Sequence, residues 1–148
     1  MSEDCWIWRC DRTIPSDTAA GRRVLEELLS QLSDRQWDAH DIFHIHLATE
    51  EALVNAIEHG NGCDAAKRVR ICCRLSADRI RIEITDEGRG FNPLKVPDPT
   101  DPDRLETPGG RGVMLIKAFM SHVEYNAAGN AVVLEKRRGR SPGVGGEK

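Results

Sequence analysis

The chain lacks the features that would place it in a membrane, a secretory route or a metal-held fold. No apolar run approaches the roughly 20 residues that a bilayer-spanning helix needs, and the N-terminus lacks a basic stretch followed by an apolar one. The expected address is the cytoplasm, without membrane contact. The five cysteines, Cys5, Cys10, Cys63, Cys72 and Cys73, are odd in number and include no C-x-x-C pair. That argues against a disulfide framework and against a zinc knuckle. Cys72 and Cys73 are neighbours in a strand pattern and point to opposite faces, which suits packing. His40 and His44 have the spacing of a helical zinc pair, but no H-E-x-x-H motif and no third ligand accompany them. A net charge of -3 gives no general pull towards nucleic acid or anionic lipid. There is no internal repeat, no G-x-x-x-x-G-K-[ST] phosphate loop and no strand-linked G-x-G-x-x-G fingerprint.

What is present suits one domain. The 148 residues are 39% hydrophobic and 30% charged, enough to bury a core and stay in solution. We expect a domain over residues 1–138 and a flexible Gly/Pro-rich tail over 139–148. Trp6, Trp8 and Cys10 alternate with Ile7 and Arg9, so residues 5–12 read as a first strand. Pro15-Ser16-Asp17 offers a turn and a helix cap. Val24, Leu25, Leu28, Leu29 and Leu32 then recur at helical spacing over 18–32. A second helix is predicted from Asp38 to His59, stopped by Gly60-Asn61-Gly62. Val69, Ile71, Cys73 and Leu75, then Ile80, Ile82 and Ile84, alternate as two strands, and Ser76-Ala77-Asp78 between them makes a hairpin. Residues 92–108 hold five of the seven prolines and four acidic residues, the composition of a lid or a disordered segment. A third helix is predicted over 111–121 and closing strands over 123–126 and 131–136, with a turn near Gly129. Lys136, Arg137, Arg138 and Arg140 form a short basic run without an aromatic platform, which reads as a solvated tail.

Three stretches carry chemistry. In Glu50-Glu51-Ala52-Leu53-Val54-Asn55-Ala56-Ile57-Glu58-His59-Gly60, residues Glu51, Asn55 and His59 recur every four positions and share a helix face. Leu47, Val54 and Ile57, with Ala56 beside them, supply an apolar face; a solvated polar face is the bland reading of the rest. In Asp86-Glu87-Gly88-Arg89-Gly90-Phe91 a carboxylate stands at a strand end. It accepts hydrogen bonds and cannot donate them, so it would favour the amino group of adenine over the carbonyl of guanine. Gly88 and Gly90 allow positive φ and close ligand approach, although a tight turn with an aspartate explains the same letters. Gly109-Gly110-Arg111-Gly112 opens a helix, where exposed amides and the positive dipole end suit phosphate oxygens. Alone, it is also ordinary loop chemistry.

Order and spacing say more than any one motif. A helix with E-x-x-x-N-A-x-x-H-G, a hairpin ending in D-x-G-x-G-F, a lid, then G-x-G opening a helix resembles the GHKL ATPase superfamily. Glu51 to Gly60 and Gly110-Arg111-Gly112-Val113-Met114-Leu115-Ile116-Lys117 resemble the anti-sigma-factor serine kinases of the RsbW type. The resemblance runs from Trp6 to Lys136. It implies an α+β fold: a two-layer α/β sandwich of the histidine kinase-like ATPase (Bergerat) type, with a mixed, largely antiparallel sheet. It implies ATP and Mg²⁺ as cofactors. Asn55 would ligate Mg²⁺ through its amide oxygen, Asp86 would hold the adenine amino group, and Gly88 and Gly90 would shape the adenine pocket. Gly110 and Gly112, with Arg111, would cradle phosphates. Glu51 would be the general base, with Glu50 a competitor about 100° round the helix; His59 reads as structural. Members often carry threonine in the last strand, where this chain has Gly129-Asn130-Ala131-Val132.

The implied function is that of an ATP-dependent serine kinase. It phosphorylates a STAS-domain anti-anti-sigma protein and sequesters a sigma factor, as a homodimer and without direct contact to nucleic acid. The alternative is a nucleotide-dependent protein-binding switch that transfers little phosphate. A histidine-kinase catalytic domain is disfavoured, because the chain has no room for a dimerising helix pair with a phosphoacceptor histidine.

Overall fold

A computed structural model describes residues 6–88 and 116–139. Strand β1 covers Trp8–Pro15, β2 Arg68–Leu75, β3 Arg79–Thr85, β4 His122–Tyr125 and β5 Ala131–Arg137, in the sheet order β1-β2-β3-β5-β4. Helix α1 covers Thr18–Asp34 and α2 Ala39–Val54; a π turn over Asn55–Gly60 continues α2. Residues 116–119 are helical. The sheet expected to be mixed is antiparallel at every pairing among the described strands. The cause is local. The turn at 126–130 returns β5 along β4, and β5 enters beside the end of β3, pairing Ala131 with Thr85.

Strand alternation builds the core. Val69, Ile71, Cys73 and Leu75 on β2 and Ile80, Ile82 and Ile84 on β3 are buried on one face. The residues between them, such as Arg70 and Arg74, stay in solvent. Both helices cover the inner face, α1 over β1 and α2 over β3 and β5. Leu28, Leu32, Ile45 and Ile57 are fully buried against it, and each such side chain contributes about 1.5–3 kcal/mol. The Asp17 carboxylate caps α1 by accepting from Ala19 N at 3.0 Å, as Pro15-Ser16-Asp17 suggested. The hairpin also forms as expected, with Ser76 N donating to Arg79 O at 2.9 Å.

Two boundaries differ from the sequence reading. The first strand sits later and runs through Pro15, because Thr13 and Ile14 pair with Arg70 and Val69. As the last residue of an edge strand, Pro15 needs no ladder donor. The second helix does not stay α-helical to His59; its last six residues widen into the π turn. At the other end of the chain, Arg138 donates to Arg35 O, Gln36 O and Ala77 O and lies over the Trp37 ring, 5.4 Å from its centroid. Gly139 N donates to Asp41 Oδ2 at 2.7 Å. The rest of the tail expected over 139–148, and the lid expected over 92–108, lie outside the described residues. Among the described residues no helix is long and apolar enough to cross a membrane.

Candidate functional site

The site residues gather where α2 ends, β3 ends and β5 begins. Glu51 and Asn55 are one turn apart, and Asn55 N donates to the carbonyls of Glu51 and Ala52. Both side chains are half-buried. The Asn55 Oδ1 atom is buried and has no hydrogen-bond partner among the described residues. An orphaned buried carbonyl costs roughly 1–3 kcal/mol, and such an oxygen suits a hard cation such as Mg²⁺. The donor set on this chain therefore fits that ion.

Glu50, by contrast, is exposed and pairs with His46 at 3.5 Å. It lines a groove of about 510 Å³ between α1 and α2, with Gly21, Leu25, Leu53 and Ile57. Glu51, Asn55 and Asp86 do not line that groove, so the two glutamates face different spaces.

The π turn ends at Gly60. Its bonds run from residue i+5 to residue i, as in Asn61 N to Ala56 O at 2.9 Å. Five residues rather than four close the turn. His59 is exposed. A Cβ on Gly60 would stand 2.5 Å from Asp86 Cγ. The missing side chain is what lets the Asp86 carboxylate approach the helix end.

Asp86 is pinned on several sides. Its N–H donates to Asn130 O at 2.8 Å, and its Oδ1 accepts from Gly88 N at 2.8 Å. Burial pushes its pKa up, against the Gly88 amide and the Lys67 charge, which pull it down. Gly88 does not adopt positive φ; among the described residues the glycines that do are Gly62 and Gly129. Gly88 is required for another reason, since a Cβ there would run into the Gly60 carbonyl oxygen. In the turn between β4 and β5, Asn126 Oδ1 accepts from the amides of Gly129, Asn130 and Ala131, and Asn126 Nδ2 donates to Asn130 Oδ1. The side-chain oxygen of Asn130 is thus already engaged.

The structure sets Asp86 and Gly88 against Gly60, at the end of the π turn that begins at Asn55, with Glu51 one turn earlier. Gly90, Gly110, Arg111 and Gly112 lie outside the described residues. Two contributors escaped the sequence reading. Tyr125 lies on the inner face of β4, and its pKa is pushed up to about 12 by burial and by the negative charge of Glu51. Asn61 is buried behind Gly60. In sequence it reads as a helix stop, and only its spatial partners reveal more. His44, half of the possible zinc pair, stacks on Phe119 with ring centroids 4.5 Å apart.

Comparison with known proteins identifies this arrangement. The family described as Histidine kinase-like ATPase domain matches residues 14–136. The chain belongs to this family. Among its relatives is a serine-protein kinase RsbW of Oceanobacillus iheyensis, 30% identical over 66% of this chain and 66% of that protein. An anti-sigma F factor of the same organism is 30% identical over 89% of this chain and 92% of that protein. A solved structure of the RsbU and RsbW domains of a Mycobacterium tuberculosis protein has the same fold. It superposes with a TM-score of 0.60 at 20% identity, covering 88% of this chain and 32% of that one. These relatives place the chain with the RsbW-type members of the ATPase family. The α+β fold that the resemblance implies is the fold observed, with every described strand pairing antiparallel.

Proposed function

We propose that this protein is an ATP-dependent serine kinase and anti-sigma factor. In this reading it phosphorylates a STAS-domain anti-anti-sigma protein and thereby controls how much sigma factor is free. One observation supports it above the others: a partnerless buried oxygen on Asn55 stands at the same end of the fold as a carboxylate held rigid against Gly60. The first suits a phosphate-bound cation and the second suits an adenine amino group. The names of the relatives supply the reaction class.

The chain's own groups have separable roles. Asp86 accepts from the adenine amino group and rejects guanine, which presents an acceptor there. Asn55 Oδ1 would hold Mg²⁺, which when bound neutralises phosphate charge. Glu51 takes the proton of the acceptor serine hydroxyl. The serine oxygen then bonds to the γ-phosphorus, the bond to the bridging oxygen breaks, and ADP carries the electron pair away. Gly90, Gly110, Arg111 and Gly112 complete the nucleotide pocket. The active form is a homodimer in the cytoplasm, and neither nucleic acid nor membrane takes part.

A second reading, a nucleotide-dependent protein-binding switch, has one observation in its favour. The last strand opens with Ala131, which has no polar side chain, and the side-chain oxygen of Asn130 just before it is engaged by Asn126. Titration calorimetry with ATP and Mg²⁺, followed by phosphotransfer to a cognate STAS protein, separates the readings. Binding with transfer to serine supports the kinase, binding without transfer supports the switch, and no binding sinks both.

A further inference from the structure

Asn61 is 3% exposed, and its side-chain contacts use both faces of its amide. Nδ2 donates to Ser16 Oγ at 2.9 Å and to Arg68 O at 3.0 Å, and Oδ1 accepts from Glu87 N at 2.8 Å. The orientation is unambiguous. Ser16 Oγ donates to Lys67 O at 2.8 Å, so it can only accept from Asn61. Flipping the amide would set donor against donor at Glu87 and acceptor against acceptor at Arg68. One side chain therefore ties the turn before α1, the start of β2 and the exit of β3 to the end of the π turn.

The exit of β3 is where Asp86 sits. The peptide before Asp86 is held through its own N–H on Asn130 O. The peptide after it is held through Glu87 N on Asn61 Oδ1. Fixing both peptide planes fixes the direction in which the Asp86 Cα–Cβ bond leaves the strand, and the Gly88 amide holds the carboxylate at its end. Gly60 and Asn61 thus dock as a pair on Asp86 and Glu87, the glycine against the carboxylate and the asparagine against the next amide. We propose that Asn61 is a positioning residue for base recognition, aiming the Asp86 carboxylate by holding the Glu87 amide. The proposal rests on the adenine-nucleotide reading of the site.

The test compares ATP and GTP affinities, by calorimetry, for wild type, Asn61→Ala and Ser16→Ala, each at a temperature where circular dichroism shows it folded. Asn61→Ala should weaken ATP binding about tenfold, the loss expected of one mis-set charged hydrogen bond. It should leave GTP binding little changed, so the ATP-to-GTP preference narrows by the same factor. Ser16→Ala removes one anchor of Asn61 and keeps the Glu87 contact; its preference should narrow about two- to fivefold, in proportion. If Asn61→Ala does not fold, Ser16→Ala decides alone. A merely structural role lowers thermal stability and leaves the preference of the folded molecules unchanged, which overturns the proposal. A wild type that binds ATP with no preference over GTP also overturns it. A wild type that binds neither nucleotide removes the reading on which it rests.

Discussion

Gly60→Ala isolates the contact on which the site depends. Elsewhere in a helix this change is favourable by up to about 1 kcal/mol, and Gly60 has no positive φ to forbid it. The obstacle is Asp86, whose Cγ, Oδ2 and Oδ1 would lie 2.5, 2.5 and 2.6 Å from the new Cβ. Ordinary contact needs about 3.5 Å, so the carboxylate must retreat by about 1 Å. A hydrogen bond of about 2.9 Å stretched by that much is lost. Losing one bond to a charged group costs roughly 1.5–3 kcal/mol, or about 10- to 150-fold in ATP affinity. The clash and the helix-propensity gain offset each other in folding, so the thermal midpoint should move by only about 2–4 °C. Gly62→Ala is the control. Nothing lies within 4 Å of a Cβ there, but φ is +61°, so it should cost about 1 kcal/mol of stability and leave ATP affinity unchanged. Calorimetry and thermal denaturation on both variants give four numbers. Gly60→Ala binding ATP within about threefold of wild type would refute the argument, because one lost charged hydrogen bond should cost more than that.

Asp86→Asn should raise the thermal midpoint at pH 7 while weakening ATP binding. The folded-state pKa of Asp86 lies above its ordinary value of 3.8 because of burial. Its ionisation therefore opposes folding at neutral pH, and that opposition vanishes below the unfolded pKa. The stability gain should be present at pH 7 and gone at pH 3; a gain confined to acid pH would contradict the sign. Asn55→Ala should leave the thermal midpoint unchanged or higher without nucleotide, since it deletes an orphaned acceptor, yet abolish the Mg²⁺ dependence of ATP binding. A loss of stability with Mg²⁺ dependence intact would reverse the assignment. Glu51→Gln should lower phosphotransfer by about 10²–10⁴-fold with ATP affinity kept, whereas Glu50→Gln should do neither. Because Tyr125 is the single tyrosine, its phenolate absorbance reports on Glu51 directly. Its pKa of about 12 should fall in Glu51→Gln and stay put in Glu50→Gln.

How much of this was legible depended on whether the cause was local. Strand alternation in Val69–Leu75 and Ile80–Ile84 fixes which face is buried, so β2, β3 and their hairpin follow from the letters. The cap at Asp17 is equally local. The shift of β1 is not, because Thr13 and Ile14 become strand only through Arg70 and Val69. The π turn is less legible still. Its residues suit an α-helix, and the extra residue per turn is fixed by where Gly60 meets Asp86. Gly60-Asn61-Gly62 reads only as a helix stop; which of these residues take positive φ is not written there, and Asn61 has φ −91° while Gly62 and Cys63 take positive values. Motif order singles out Asn55 and Asp86 as the proposed ligand contacts, because each proposed role needs its own side chain. Tyr125 is not singled out, since nothing near it in sequence points to Glu51.

Gln36 at φ 61° and the buried Trp37 Nε1 and Thr49 Oγ1, without a partner among the described residues, are departures from local rules outside the site residues; four others share one end of the fold. A π turn, a Cys63 at φ 56°, an unpartnered Asn55 oxygen and a half-buried carboxylate with raised pKa all lie there. Each lowers stability, and the buried isoleucines Ile80, Ile82 and Ile84 of the adjoining strand supply an opposing contribution at about 1.5–3 kcal/mol apiece. A sequence selected for stability alone would remove the clustered costs, since Asn55→Ala and Asp86→Asn are single changes. Two of those costs have the same chemical remedy: a cation for the orphaned oxygen and an amino donor for the buried carboxylate. An adenine nucleotide with its metal ion carries both. In the proposed reading, these two costs are preorganisation for that ligand.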